Sequence, residues 1–312
     1  MSDELVLQPL DPACETVALL ALLRAAPRGV KWSDIAVQVR FEGSAVNVLE
    51  QAQETKGGLF PDPAIDAAIL QARVDLAAWQ DAGLHLVTVL SAEYPVQLAD
   101  VFDCPPFLFT RGQVIAEDRG LSVVGSRKCS PKGAAMARDA AQLLAERGLT
   151  VIAGLAEGID AAAHREALAA GMRTVAVIGT GITRYYPASN RALQDEIAAK
   201  GLVISQFYPD QPPTKTTFPM RNGTMSGYGL ATIVVEAGEH SGSRIQARDA
   251  ADHGRPVILS SDVASSTTWG AVMANNPWVY VVHSHRELAD AIDDVARNDS
   301  ADALRSLGLV RA

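Results

Sequence analysis

Residues 120–164 read GLSVVGSRKCSPKGAAMARDAAQLLAERGLTVIAGLAEGIDAAAH, and their rhythm decides the fold. Leu121–Val124 and Thr150–Ile152 are short, strand-like runs. Between them, 134–147 carries apolar residues at three- and four-residue spacing, and a second helical segment, 161–170, follows the second run. Strand, helix, strand, helix predicts parallel neighbours, because a parallel pair needs a crossover and a helix supplies one while satisfying its own backbone.

The alternation continues outward. Further strands are expected at 174–178, 202–205, 232–235, 256–259 and 279–282, with helices at 188–200, 245–253 and 286–295. The expected class is α/β, a Rossmann-like parallel sheet with flanking helices. Upstream, 15–24, 31–40, 45–53 and 63–78 read as helices separated by Pro27, Gly29, Gly43 and the Gly57-Gly58 break. The expected division is a small helical domain over 1–82, the Rossmann-like domain over 83–296 and a tail over 297–312. A strand-like run at 84–90 and a Pro-containing segment to Pro106 lead to 107–110 and into the main domain. The helix–turn–helix-like spacing of the first part fits DNA contact and ordinary helical packing equally well, and the segment is not strongly basic.

Composition narrows the function. Over 312 residues, 48% are apolar and 20% charged, which allows a buried core and excludes a wholly disordered chain. Lysine and arginine number 27 against 36 acids, a net charge of −9, so nucleic acid cannot be held by overall charge and needs a local basic patch. Cys14, Cys104 and Cys129 are too few and too scattered for a disulfide scaffold or a Cys-rich zinc site, which favours a reducing, cytoplasmic setting. The apolar run Val17–Leu23 spans 7 residues, whereas crossing a bilayer takes about 20. The acidic start Met1-Ser2-Asp3-Glu4 lacks the basic region of a signal peptide, so no membrane insertion is expected.

In doubly wound sheets ligands sit beyond the carboxyl ends of the strands, and the loops there hold the candidate site. In the first, Gly125 turns the chain out of its strand, Ser130 is placed to cap the next helix with Pro131 in its first turn, and Arg127 offers a planar fork for phosphate. Arg127, Lys128 and Lys132 give a local charge of +3 with no acid from Leu121 to Gly133; a phosphate site and a capped helix with solvated basic residues both explain it. Nothing pairs Cys129 with a base. In the second loop Gly154 and Gly158 allow close approach, and Asp160 and His164, one turn apart, read better as a structural link between loop and helix than as a metal or acid–base pair. The third, 179–187, is rich in glycine at Gly179 and Gly181, and its Tyr185-Tyr186 pair either closes over a crevice or packs the loop.

The fourth loop, 208–229, is long and reads as irregular. It holds Lys215, Phe218, Arg221 and Asn222, and no acid appears from 211 through 235. Cation and ring in sequence suit single-stranded nucleic acid through phosphate pairing and base stacking. In the fifth, Ser241 and Ser243, on either side of Gly242 in the same crevice loop, are expected to cradle an anion with free N–H groups, and Glu236 to accept hydrogen bonds from loop amides or a ligand hydroxyl. No catalytic residue, metal ligand or cofactor is expected.

Together these segments resemble the DNA-processing protein A family (DprA, also called Smf). The resemblance rests on VVGSRKCSPKG at 123–133, AGLAEGIDAAAH at 153–164, AVIGTGITRYYPASN at 176–190, FPMRNGTMSG at 218–227 and EAGEHSGSRIQA at 236–247, with YPVQLADVFDCPPFLFTRG at 94–112 before them; it covers roughly 84–295. It implies a Rossmann-fold protein without established catalysis that binds and protects single-stranded DNA, helps load the RecA recombinase during natural transformation, and is usually a homodimer. It places DNA binding on Arg127, Lys215 and Phe218, with Ser126 and Ser130 completing the first motif and Arg221 matching an Arg-Asn motif whose second arginine is replaced here by Gly223.

The sequence also departs from the family: VILSSDVASSTTWGAVMANN stands at 257–276, Gln206 replaces the usual glutamate, the helical domain lacks the usual Gly-Ile-Gly hairpin, and no room is expected after about 296 for a C-terminal winged helix. Two alternatives follow: a nucleotide-sensing or interaction module of a DNA-uptake or defence pathway, or a nucleotide hydrolase related to the lysine-decarboxylase-like family, whose PGGxGTxxE segment is missing.

Overall fold

The computed structural model describes residues 11–55 and 63–298. The expectations for the chain start, the Gly57-Gly58 break and the tail beyond 298 lie outside the described residues. In chain order the elements are α1 (Pro12–Ala25), α2 (Trp32–Glu42), α3 (Ala45–Thr55), α4 (Pro63–Asp81), β1 (His85–Thr88), α5 (Val96–Ala99), β2 (Phe107–Gly112), β3 (Gly120–Gly125), α6 (Pro131–Glu146), β4 (Thr150–Ala153), α7 (Ile159–Ala169), β5 (Thr174–Val177), α8 (Arg191–Lys200), β6 (Leu202–Ser205), α9 (Thr217–Tyr228), β7 (Thr232–Glu236), α10 (Gly242–Asp252), β8 (Val257–Ser260), α11 (Ser261–Ser266), α12 (Thr268–Met273), β9 (Val279–Val282) and α13 (His285–Arg297).

The described residues fall into two compact units, those within 1–94 and 102–110, and those within 95–101 and 111–312. The division differs from the expected boundary at 82/83: 83–94 and 107–110 join the helical unit, because β1 pairs antiparallel with this part of β2, from His85 opposite Thr110 to Thr88 opposite Phe107. Within that unit Phe107 and Phe109 take Trp32 and Trp79 against their rings, at 5.7 and 4.9 Å between centroids. Glu15 of α1 is buried and accepts from Ser44 Oγ and the Ala45 and Val46 amides, so a side chain from one helix satisfies the first amides of α3.

In the second unit β3 to β9 run parallel in the order β6-β5-β4-β3-β7-β8-β9, the Rossmann-like arrangement expected. Strands β4, β5, β6 and β8 are buried at every position, as parallel strands covered on both faces must be. Helices α6, α7 and α13 bury Leu144, Ile159 and Ile292 in one core with Leu121, Val151 and Ile233 of the sheet. Helices α9 and α10 pack on each other and on the strands at the sheet's centre. Strand order reverses between β3 and β7, whose register runs from Ser122 opposite Thr232 to a bulge at Val124/Gly125. A crevice opens at such a reversal, where successive crossovers leave in opposite directions.

One element corrects the sequence reading. The expected irregular loop at 208–229 holds the helix α9 over Thr217–Tyr228. Pro219, Gly223 and Gly227 lower its intrinsic propensity, yet 221–228 is buried throughout, so packing supplies the stability that composition withholds. Among the described residues, no helix is long and apolar enough to cross a membrane.

Candidate nucleic-acid interface

The crevice at the strand reversal is a cavity of about 450 Å³ between the loop after β3, the start of α7, the exposed side of α9 and the loop into α10. Ser126, Arg127, Lys128, Phe218, Arg221 and Asn222 line it with Gly125, Ser241, Gly242 and Ser243. A smaller cavity of about 100 Å³ adjoins it through Arg127, Phe218 and Arg221, and is walled by Gly154, Gly179, Tyr186 and Pro187.

The first loop owes its shape to Glu236. Ser130 caps α6, its Oγ accepting from the Gly133 amide at 3.0 Å. Both carboxylate oxygens of Glu236 accept from the Ser130 amide at 3.1 Å, and Ser130 Oγ donates to one of them. The Ser126 amide donates to the Glu236 carbonyl at 2.8 Å. Ser126 and Ser130 thus tie the loop to the end of β7, which raises Arg127 and Lys128, both exposed, on its crest. Cys129 packs against the core.

The glycines of the second and third loops receive protein side chains. A Cβ on Gly154 would lie 1.5 Å from Arg221 Nη1, and one on Gly179 would lie 2.7 Å from the Phe218 ring. Gly181 stands outside both cavities, against the carbonyls of Tyr208 and Pro209. Arg221 is 6% exposed and donates from Nη1 to the Val177 carbonyl at 2.9 Å; its Nε has no partner. Burial lowers its pKa, with Asp160 opposing and Arg127 adding to the shift. Arginine nonetheless stays charged in proteins, so the crevice floor carries a fixed cation.

Burial pushes the Asp160 carboxyl up, against the charge of Arg221 and the Ala156 and Gly154 amides, which donate to its Oδ2 at 3.2 and 3.1 Å. His164 does not pair with it. The His164 ring is fully buried, its Nδ1 2.7 Å from Thr174 Oγ1, while Thr174 gives its hydroxyl proton to the Val151 carbonyl at 2.8 Å. Burial first, then the charge of Arg221, pulls the His164 pKa down to about 3, so the imidazole is neutral at pH 7. Asp160 ties the second loop to α7, whereas His164 bonds Thr174 of β5 and takes no part in that link.

The fifth loop differs from expectation. The Ser243 amide donates to Ser241 Oγ, the N-cap of α10, and the Ser241 amide to the Gly238 carbonyl, both at 3.2 Å, so the expected free N–H groups are engaged within the loop. Asn222 reaches the Gly242 carbonyl at 3.4 Å. The divergent segment at 257–276 forms α11 and α12 and holds this loop: the Thr268 amide donates to Glu239 at 2.8 Å and the Trp269 indole to the Gly238 carbonyl at 3.3 Å.

Two expected cations stand elsewhere. Lys132 is paired with Asp262 and lines a separate cavity with His283 and His285. Lys215 is exposed on the loop before α9 and does not line the crevice. The sequence reading missed Met225, Gly238, His240 and Gln246 as crevice residues. The signal for one was present: Phe218, Arg221, Asn222 and Met225 stand at helical spacing, which a loop reading of 208–229 conceals. Among the described residues no cluster of histidine, cysteine or acids could hold a metal ion.

A doubly wound sheet with cations and an aromatic ring at its strand reversal defines a Rossmann-type protein with a cation-lined crevice. Residues 85–291 match the DNA recombination-mediator protein A family, and the chain belongs to that family. It is similar to DNA processing protein DprA of Streptococcus pneumoniae, with 42% identity over 172 residues, 55% of this chain and 61% of that protein. It is similar also to protein Smf of Escherichia coli, with 39% identity over 176 residues, 56% of this chain and 47% of that one. These matches span about half to three fifths of the length of the relatives. The crystal structure of the Streptococcus pneumoniae protein superposes with a TM-score of 0.72 at 28% identity, over 88% of this chain and 97% of that one. The Helicobacter pylori protein, described with its single-stranded DNA binding mode, shares the fold at a TM-score of 0.59 and 20% identity, over 68% of this chain and 96% of that one.

Proposed function

We propose that the crevice binds single-stranded DNA, and that the protein shields such DNA and assists loading of the RecA recombinase during DNA uptake or recombination. One observation carries this reading: in a chain of net charge −9, Arg127, Lys128 and Arg221 converge with Phe218 on one cavity. Cations meet the phosphates and the ring meets bases, a combination that tolerates any sequence. Lys215, Ser130 and Lys132 belong to the same interface in this reading, Lys215 reaching the strand beyond the crevice and Ser130 positioning the loop. The role is binding rather than catalysis: the carboxylates nearest the cations, Asp160 and Glu236, accept from loop amides, which supports a scaffold role for both. We infer further, from the family resemblance, that it acts in the cytoplasm as a homodimer.

The test is fluorescence anisotropy with labelled single strands of increasing length at two salt concentrations. Affinity should grow with length and fall with salt, by a slope of about 0.7 per neutralised phosphate, and the Arg127→Ala/Lys215→Ala variant should lose both affinity and slope. Saturation by a mononucleotide with no gain from length would instead support the nucleotide-sensing alternative. RecA loading is checked by whether the protein speeds recombinase assembly on strands coated with single-strand-binding protein.

A further inference from the structure

We propose that the small cavity between Tyr186 and Phe218 takes a nucleobase of the bound strand, with Tyr186 as a second stacking ring; this rests on the single-stranded DNA reading above. The two tyrosines of the third loop have different tasks. Tyr185 is built into the protein: its hydroxyl donates to Asp195 at 2.8 Å, and Arg191 stands 4.6 Å from its ring centroid. Tyr186 faces the cavity, 42% exposed, its ring centroid 5.5 Å from that of Phe218 at 46°. An aromatic ring left this open beside a second one is a surface on which a flat apolar group gains area at low entropic cost.

The wall chemistry selects a base over a phosphate. Gly154, Ala156, Gly179 and Pro187 present no charge; Arg127 and Arg221 belong to the side shared with the crevice, and Glu157, which the crevice does not share, disfavours a phosphate beside it. Ser189 Oγ donates to Glu157 Oε1 at 2.7 Å, fixing a carboxylate that accepts from the amino or imino edge of a base. Phosphate is served next door, because Arg127 lines both cavities. Its guanidinium stands 5.4 Å from the Phe218 ring centroid, on the ring a stacked base would use. When a strand binds, its phosphate draws Arg127 off the ring and the base takes that place, so one side chain acts as placeholder and phosphate ligand in turn.

The experiment compares one oligonucleotide with an abasic strand of equal length, which keeps the phosphates and lacks the bases, against wild-type protein, Tyr186→Leu and Tyr186→Phe. Wild type should prefer the base-bearing strand. Tyr186→Leu should lose about 5- to 150-fold on that strand, the effect of one stacked base, and nothing on the abasic one, while Tyr186→Phe keeps wild-type affinity. An equal loss on both strands would show that Tyr186 only shapes the protein, and no loss on either that it touches no base; each overturns the proposal. Equal wild-type affinity for both strands overturns it without Tyr186 variants and leaves the single-stranded DNA reading standing. Failure of wild type to bind either strand at low salt removes both.

Discussion

Replacing Gly154 by alanine puts the construction of the crevice to its hardest test. The new Cβ would fall 1.5 Å from Arg221 Nη1 and 2.4 Å from its Cζ, so the guanidinium must leave. Its hydrogen bond to the Val177 carbonyl goes with it, and Asp160 loses the charge that most opposes its burial. A hydrogen bond from a charged group contributes about 1.5–3 kcal/mol, and a methylene forced into a packed site costs about 1–3 kcal/mol. The expected loss is therefore about 2.5–6 kcal/mol, read by calorimetry of the full chain as a fall of roughly 5–20 °C in the melting of the Rossmann-like unit. In an Arg221→Ala background the space is already empty and Gly154→Ala should be nearly neutral, giving a coupling of at least about 2 kcal/mol in the double-mutant cycle. An equal cost with and without Arg221 would refute the reasoning.

Other predictions follow from the same contacts. The His164 pKa lies below its ordinary value of 6.5, at about 3, so between these values the unfolded chain binds more protons. Stability from this group should thus be full above about pH 6.5 and fall as pH drops toward 3. The raised Asp160 acts with opposite sign, its contribution being present at low pH and lost as pH rises through its folded pKa; the His164 slope is therefore read as the difference between wild type and His164→Asn in denaturation curves. Ser130→Ala removes the α6 cap and a donor to Glu236 and should destabilise by about 1–2 kcal/mol, seen as a lower denaturation midpoint. Lys132 is paired with Asp262 and stands at a separate cavity, whereas Lys128 lines the crevice: Lys132→Ala should change affinity for single strands less than Lys128→Ala in the anisotropy assay.

Much of the architecture was legible in the sequence because periodicity is local. Leu121–Val124 and Thr150–Ile152 around an amphipathic segment require a crossover whatever surrounds them, and Ser130-Pro131 marks a helix start from two adjacent residues. The charge on the first loop, set against a chain total of −9, likewise marked Arg127 and Lys128 without any coordinates. Helix α9 escaped because its propensity is poor and its stability comes from burying Met225 and Tyr228, which no local window reports.

What only the tertiary structure decided is how distant segments use one another. The sequence marks Gly154 and Gly179 as places of close approach; the fold reveals that what approaches is Arg221 and Phe218. It likewise assigns Glu236 to the amide and hydroxyl of Ser130, withdraws the Ser241 and Ser243 amides into their own loop, and turns Lys132 toward Asp262. The reason is physical: a side chain's partner is set by which groups the packed sheet brings within hydrogen-bond reach, and that distance is a property of the whole fold, whereas strand and helix periods are properties of a few neighbouring residues.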